Sequence, residues 1–505
     1  MADEERPKRP SIDQIREQEA ADVHIRGPLV IAIAKKAFEG TGLIEKKPIG
    51  SEELKAVFDF FETVAPFAHP KVFPDFWLHS MAAGLFAKNL AQIIGLDPQL
   101  QQAAVTMHDL SRIVLPHRYG RTDLFEKPLA HMIGIRDEVL ATLVPLERLL
   151  AISSSRPLPQ LAHFTPSQRV TLVADTLGKV DEYGHLGSPD EIRQIAESSR
   201  GRYKDPVWPS EAKYYGRYID KKVFSSNIKL LEDCVEWLKQ EHGVDFDKVR
   251  RQSEEELASP QSQSWYLRIL DAQETLDPEI DKKLKRPPIT NIVFDVGGVL
   301  FQVAEEELMK AISQKLDVSP DTFKRVFQRY YGAEYIAGRS DPGETLYHEL
   351  GLPTRGKVET EDIFSHPNIY HPVEGMPEII GELASNPDLQ VILYSDAMAP
   401  LAKTVRAVIR DFYPQLRVDQ RDGQVFISSQ TRTSKIGKDA YEYILERLGN
   451  PDPQSVLFID DNQTYTTSAR AANNMRGFTF RGNPYKELTA TQRLKGELQK
   501  GELLK

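Results

Sequence analysis

Three short apolar runs constrain this chain more than any other feature: NIVFDVGGVLF, LQVILYSDA and SVLFIDDN. Each is rich in β-branched residues and stops at glycines or polar groups, as a strand buried on both faces stops at a loop. Between them lie MPEIIGELAS, APLAKTVRAVIRDFY and KDAYEYILERLG, whose apolar residues recur at helical spacing. Strand alternating with helix predicts a doubly wound α/β sheet, in which ligands bind beyond the carboxyl ends of the strands. The groups at that edge are Asp295, Ser395, and Asp460 with Asp461.

The N-terminal half has a different period. From Pro28 to about Val244, the segments LVIAIAKKAFEG, SEELKAVFDFFETV, HSMAAGLFAKNLAQIIG and QRVTLVADTLGKV space apolar residues at three and four, which predicts an all-α bundle. At 505 residues the chain exceeds one ordinary core, and about 150 residues per domain gives two or three. The expected order is a charged mobile arm over 1–25, a helical domain over 26–245, and a connector over 246–289 that closes at Pro287 and Pro288. An α/β domain over 290–485 and a C-terminal helix or tail over 486–505 complete it.

Composition narrows the function classes. No apolar run approaches the roughly 18 to 20 residues that span a bilayer, so no membrane segment is expected. The start MADEERPKRPSIDQ lacks the apolar stretch of a secretory signal, and a cytoplasmic location is the expectation. A net charge of −10 does not favour a nucleic-acid surface, although DKKLKRPP offers a local basic cluster. The single cysteine, Cys234, has no partner for an intramolecular disulfide and sits beside Leu231 and Trp237 in a helical pattern, as a buried structural thiol does. His69, His163, His185 and His242 read as surface or local packing residues.

Phosphoryl transfer through an aspartyl intermediate needs a carboxylate nucleophile, a divalent cation, and donors around the phosphate oxygens. Asp295 precedes Gly297 and Gly298, which let backbone amides approach a phosphate closely. Ser395 is a hydroxyl donor, Lys435 a neutralising charge, and Asp460 with Asp461 the hard oxygen ligands that Mg²⁺ prefers. From Asn291 to Phe480 these residues resemble the haloacid dehalogenase-like (HAD) superfamily. FDVGGVL resembles its first motif, LYSDA its second, SKIGKDAYEYIL its third and FIDDN its fourth.

The resemblance implies a Rossmann-like fold with a helical cap, here 302–374, and a phosphatase with Asp295 as nucleophile and metal ligand. It implies Ser395 and Lys435 as further catalytic groups, and Asp460 and Asp461 as Mg²⁺ ligands. Of Lys435 and Lys438 it favours Lys435, which lies six positions before Tyr441. Phosphatases of the family carry a second Asp two residues after the nucleophile, as acid and base; this chain has Gly297 there, which puts turnover in question.

In the helical half, a histidine on one helix, a His-Asp pair on another and an Asp on a third can converge on one metal in a bundle core: His79, His108, Asp109 and Asp175. The HS…AxxxHD spacing and the later VAD resemble the HD superfamily of metal-dependent phosphohydrolases over about Ala65 to Tyr183. That resemblance implies a divalent transition metal such as Mn²⁺, Co²⁺, Ni²⁺ or Fe²⁺, and makes Arg112 a catalytic phosphate contact. His117, Arg118 and Arg121 follow as weaker phosphate contacts. His131 stands where dinuclear members have another ligand, but the later paired histidines are missing, so one metal is expected.

The expected function is a bifunctional metal-dependent phosphohydrolase acting on small-molecule phosphate esters or nucleotides. The alternative is a nucleotide- or metal-binding sensor or scaffold in which one or both halves turn over weakly. The sequence sets neither the substrate nor the oligomeric state.

Overall fold

A computed structural model describes residues 51–67, 75–108, 160–180, 185–195, 221–330, 350, 367–418, 423–435, 437–484 and 486–504. The N-terminal arm, residues 331–349 and 351–366 of the cap, and His69, Asp109, Arg112, His117, Arg118, Arg121 and His131 lie outside the described residues. The chain divides into two compact units, Met1–Gln273 and Glu274–Lys505.

Among the described residues, the regular elements of the first unit are helices, with one isolated antiparallel bridge between Val180 and Leu186. Its helices are α1 (Ser51–Val64), α2 (Asp75–Ile94), α3 (Pro98–Thr106), α4 (Pro166–Leu177), α5 (Lys221–His242), α6 (Phe246–Leu257) and α7 (Pro260–Gln273). Local chemistry sets their starts. Asp97 caps α3 by accepting from the Gln99 and Leu100 amides, with Pro98 in the first turn, where a missing N–H costs nothing. Thr165 opens α4 in a reciprocal capping box with Gln168.

The central helix is α2, whose Ala82, Ala83, Phe86, Ala87, Leu90 and Ala91 are fully buried and which packs on α3, α4 and α6. Gly178, just past α4, allows that closeness: a Cβ there would lie 2.4 Å from the Ala83 Cα. Trp77 fills the core between Phe58 and Phe61, at ring separations of 5.4 and 4.4 Å. Burying such rings contributes roughly 1.5–3 kcal/mol each. Cys234 is fully buried on α5.

The second unit is α/β. Its elements are α8 (Pro278–Leu284), β1 (Asn291–Phe294), β2 (Phe301–Val303), α9 (Glu305–Leu316), α10 (Pro320–Tyr330), β3 (Tyr370–Pro372), α11 (Met376–Ser385) and β4 (Gln390–Ser395). After these come α12 (Ala399–Phe412), β5 (Val425–Ile427), α13 (Ser428–Thr431), α14 (Asp439–Arg447), β6 (Val456–Asp460), α15 (Gln463–Asn473), β7 (Arg476–Thr479) and α16 (Ala490–Lys500). Five strands form one parallel sheet in the order β5-β4-β1-β6-β7, with Asn291 opposite both Gln390 and Val456.

Successive residues of a strand face opposite sides. Accordingly, Ile292 and Phe294 join the larger core cluster and Val293 the smaller one. The antiparallel pair β2 and β3, with Phe301 opposite Pro372, brings the two ends of the inserted segment together, and α9 and α10 begin that insertion. The C-terminal helix α16 adds Leu494 and Leu498 to the larger core. It is fastened by Arg493, whose guanidinium donates to the buried Glu274 carboxylate at 2.5 Å and to the Thr479 carbonyl at 2.7 Å.

Candidate functional site

Because β1 and β6 are neighbours in register, their carboxyl ends deliver Asp295 and Asp460 to the same edge of the sheet, and the Asp295 amide donates to the Ile459 carbonyl at 2.8 Å. Lys435 reaches them from the loop before α14. Its ammonium lies 2.7 Å from Asp295 Oδ1 and 2.7 Å from Asp460 Oδ2, bridging the two. Ligand oxygens of Asp295, Asp460 and Asp461 all lie within 4.8 Å of one another. Ser395 is buried at the end of β4.

The loops are held by specific bonds. Asp396 accepts from the Lys435 amide at 3.2 Å and from Ser434 Oγ at 3.3 Å, which fixes the backbone that presents the lysine. The hydroxyl of the buried Tyr441 shares its proton between the carbonyls of Lys435, at 3.1 Å, and Tyr465, at 2.9 Å. The Asn462 amide donates to Asp460 Oδ1 at 2.9 Å. Gly298 has a φ of +77°, and a Cβ there would sit 2.1 Å from Asp461 Oδ2, so both its backbone and its neighbour require glycine.

Charge explains why these groups cohere. Burial and the nearby Asp460 push the Asp295 carboxyl well above its ordinary range, against the pull of Lys435. Burial alone would discharge Lys435, but Asp295, Asp460 and Asp396 hold its ammonium well above the usual lysine range. Burial also raises Asp396, and raises Asp461 with Asp460 adding to the effect. One buried lysine thus faces an excess of carboxylates. Hard oxygen donors carrying surplus negative charge suit a divalent cation such as Mg²⁺, with Asp295, Asp460 and Asp461 as the available ligands.

The first unit assembles a second cluster from His79 on α2, His108 just past α3, and Asp175 on α4, again with ligand atoms within 4.8 Å of one another. His79 Nε2 lies 3.2 Å and His108 Nε2 2.9 Å from the same oxygen, Asp175 Oδ1. The opposite ring nitrogens face main-chain carbonyls: His79 Nδ1 is 3.2 Å from Gly178 O and His108 Nδ1 is 2.5 Å from Val105 O. Carbonyls only accept, so each Nδ1 carries the proton and, in a neutral ring, each Nε2 presents a lone pair to a carboxylate oxygen. Only positive charge between them, as protons or a metal ion, relieves that contact. Burial works against the Asp175 carboxylate, yet His108 and then His79 hold it well below the usual range. Asp109 and Arg112 lie outside the described residues.

No family model matches the chain, and no curated protein does. Solved structures similar to part of it include HAD-superfamily hydrolases. A HAD family enzyme from Bacteroides thetaiotaomicron, in complex with magnesium and inorganic phosphate, aligns at 17% identity and a TM-score of 0.29, over 38% of this chain and 93% of that one. A HAD-superfamily hydrolase of subfamily IA from Geobacter sulfurreducens aligns at 17% identity and 0.26, over 38% and 86%. The L-2-haloacid dehalogenase of Xanthobacter autotrophicus aligns at 20% identity and 0.29, over 39% and 80%.

Among the described residues, Asp295, Lys435, Asp460 and Asp461 come together as one group and His79, His108 and Asp175 as another. Sequence reasoning passed over Asp396 and Tyr465. Asp396 directly follows Ser395 in LYSDA, so its polar place at a strand end was a usable signal. Tyr465 carried none, because a tyrosine in the first turn of a helix reads as packing.

Proposed function

We propose that the second unit is a Mg²⁺-dependent phosphatase of the HAD type, acting on small phosphate monoesters, nucleotides among them. The observation that carries this reading is the Lys435 ammonium held at 2.7 Å from both Asp295 and Asp460 at the mouth of a parallel sheet. Asp295 is the nucleophile: its carboxylate attacks phosphorus and the ester oxygen departs. Lys435 keeps that carboxylate oriented and offsets charge shared with the phosphoryl group, while Ser395 donates to a phosphate oxygen. Mg²⁺ held by Asp295, Asp460 and Asp461 would neutralise phosphate charge and draw electron density from phosphorus. Burial of Asp295, Ser395, Lys435 and Asp460 strengthens their interactions.

The purified chain should hydrolyse p-nitrophenyl phosphate and a subset of a monoester panel with Mg²⁺, and Asp295→Asn or chelation should abolish this. Absence of hydrolysis of every ester with Mg²⁺, Mn²⁺ or Co²⁺ would overturn the reading and leave the sensor or scaffold alternative.

For the first unit, the two imidazole lone pairs aimed at one carboxylate oxygen favour a metal-dependent HD-type hydrolase site. His79, His108 and Asp175 would hold a divalent transition metal, with Asp109 completing the set and Arg112 contacting phosphate from their sequence positions. Such an ion would supply Lewis acidity toward a phosphodiester or nucleotide. Co²⁺ should give a ligand-field spectrum that His108→Ala removes and Asp295→Asn leaves in place. If the spectrum is unaffected by His108→Ala, the metal site fails; if metal binds and no phosphate ester is cleaved through it, the unit is a binding module.

A further inference from the structure

Displacing an alkoxide from phosphorus creates a strong base, and Asp295, as the attacking group, does not protonate it. Position 297 offers no acid, and a Cβ built there meets nothing within 4 Å. Of the neighbouring acids, Asp461 is assigned to Mg²⁺ above, and Asp396 and Asp460 are engaged. Both Asp396 oxygens accept from the Lys435 amide, at 3.2 and 3.3 Å, and Oδ2 also accepts from Ser434 Oγ. Asp460 takes the Lys435 ammonium on one oxygen and the Asn462 amide on the other. The Ser395 hydroxyl is itself an alcohol, with no advantage in acidity over the departing one.

Tyr465 remains. It lies in the first turn of α15, with Lys435 Nζ 5.2 Å from its ring centroid. Tyr441 holds the Tyr465 and Lys435 carbonyls with one hydroxyl, so the backbones that carry the ring and the lysine are tied together. The phenol is partly exposed, and among the described residues its hydroxyl makes no hydrogen bond. Burial raises its pKa, and the charges it then feels are those of the site, namely Asp396, Lys435, Asp460 and Asp295.

We propose that the Tyr465 hydroxyl is the proton donor to the leaving oxygen, filling the place that Gly297 leaves open. The inference rests on the aspartyl-phosphatase reading above. As the Asp295 oxygen bonds to phosphorus and the ester P–O bond breaks, the phenolic proton passes to the departing alkoxide, giving the alcohol. The phenolate, with the Lys435 ammonium over its ring, then takes a proton from the water that attacks the aspartyl phosphate. Phosphate leaves, and both residues return to their starting forms. Tyr465 is therefore a catalytic residue.

The test compares leaving groups in the full chain with Mg²⁺. An alkyl phosphate such as glycerol phosphate needs the proton, whereas p-nitrophenolate leaves without one. Tyr465→Phe should lower kcat on glycerol phosphate by about 10²-fold or more, the range expected for loss of a general acid, and lower that on p-nitrophenyl phosphate by a much smaller factor. Gly297→Asp in the Tyr465→Phe background should restore alkyl turnover, because the space beside position 297 is open. Equal losses on both esters, no loss on either, or failure of Gly297→Asp to restore turnover while p-nitrophenyl activity persists would overturn the assignment. A wild type inactive on both esters, or an Asp295→Asn variant as active as wild type, would instead sink the phosphatase reading itself.

Discussion

Replacing Lys435 by methionine keeps the stem and removes the charge. The lysine, Asp295 and Asp460 side chains are 2%, 10% and 0% exposed, which places the loss in the regime of buried pairs rather than surface ones. Removing one partner of a buried pair costs about 3–5 kcal/mol, against roughly 0–1 kcal/mol at a surface. For a unit spanning residues 274–505, each kcal/mol moves Tm by roughly 2–4 °C, so a fall of about 6–20 °C is expected in its transition. The Asp295 carboxyl already sits well above its ordinary range. A carboxyl that binds its proton more tightly when folded adds stability at low pH that is lost as pH rises, so the variant's deficit should shrink as pH falls. Mg²⁺ should recover part of the deficit by neutralising the same oxygens. Differential scanning calorimetry of the full chain, with Mg²⁺ or with a chelator, reads all three effects. A drop under about 2 °C, or a deficit that grows on acidification, would refute the charge argument.

Other substitutions probe separate parts of the two units. Gly298→Ala should cost roughly 1–3 kcal/mol in backbone strain and weaken Mg²⁺ binding by displacing Asp461, both measurable by unfolding with and without the ion. Glu274→Gln should destabilise the second unit above about pH 4.3 and make little difference well below it. Burial raises the Glu274 carboxyl, but Arg493, Arg481 and Arg470 outweigh this and lower it, so its contribution is present above the unfolded pKa and lost as pH falls through the folded one; pH-dependent unfolding of both forms checks the crossover. Cys234, whose thiol burial pushes up to about 12, should resist alkylation at pH 8 until the first unit unfolds; rapid labelling of the native protein would contradict that.

The sheet was legible where strands have an unbroken apolar interior. NIVF, QVILYS and VLFID announced themselves as β1, β4 and β6, and their end residues marked the edge where Asp295, Ser395, Asp460 and Asp461 stand. The outer strands were not. VFI in β5 is too short to show a period, and RGFT in β7 hides its strand behind an arginine and a glycine. The pairing of Phe301 with Pro372 also escaped, because nothing local links residues separated by the whole insertion. In the site, Lys435 was singled out by the resemblance, whereas Asp396 and Tyr465 depend on where loops fold back. Glu274 illustrates the same limit: its partners Arg470, Arg481 and Arg493 come from beyond residue 469, and only tertiary structure joins them.

The most direct measurement asks whether Asp295 takes the phosphoryl group. The full chain is mixed with an activated phosphate monoester and Mg²⁺, quenched within one turnover, and treated with borohydride, which reduces an acyl phosphate to an alcohol that peptide mass spectrometry locates. A reduced side chain at position 295, dependent on substrate and Mg²⁺ and absent from Asp295→Asn, is the expected result. Steady turnover with no adduct at any residue, or an adduct on a different carboxylate, would contradict Asp295 as the nucleophile.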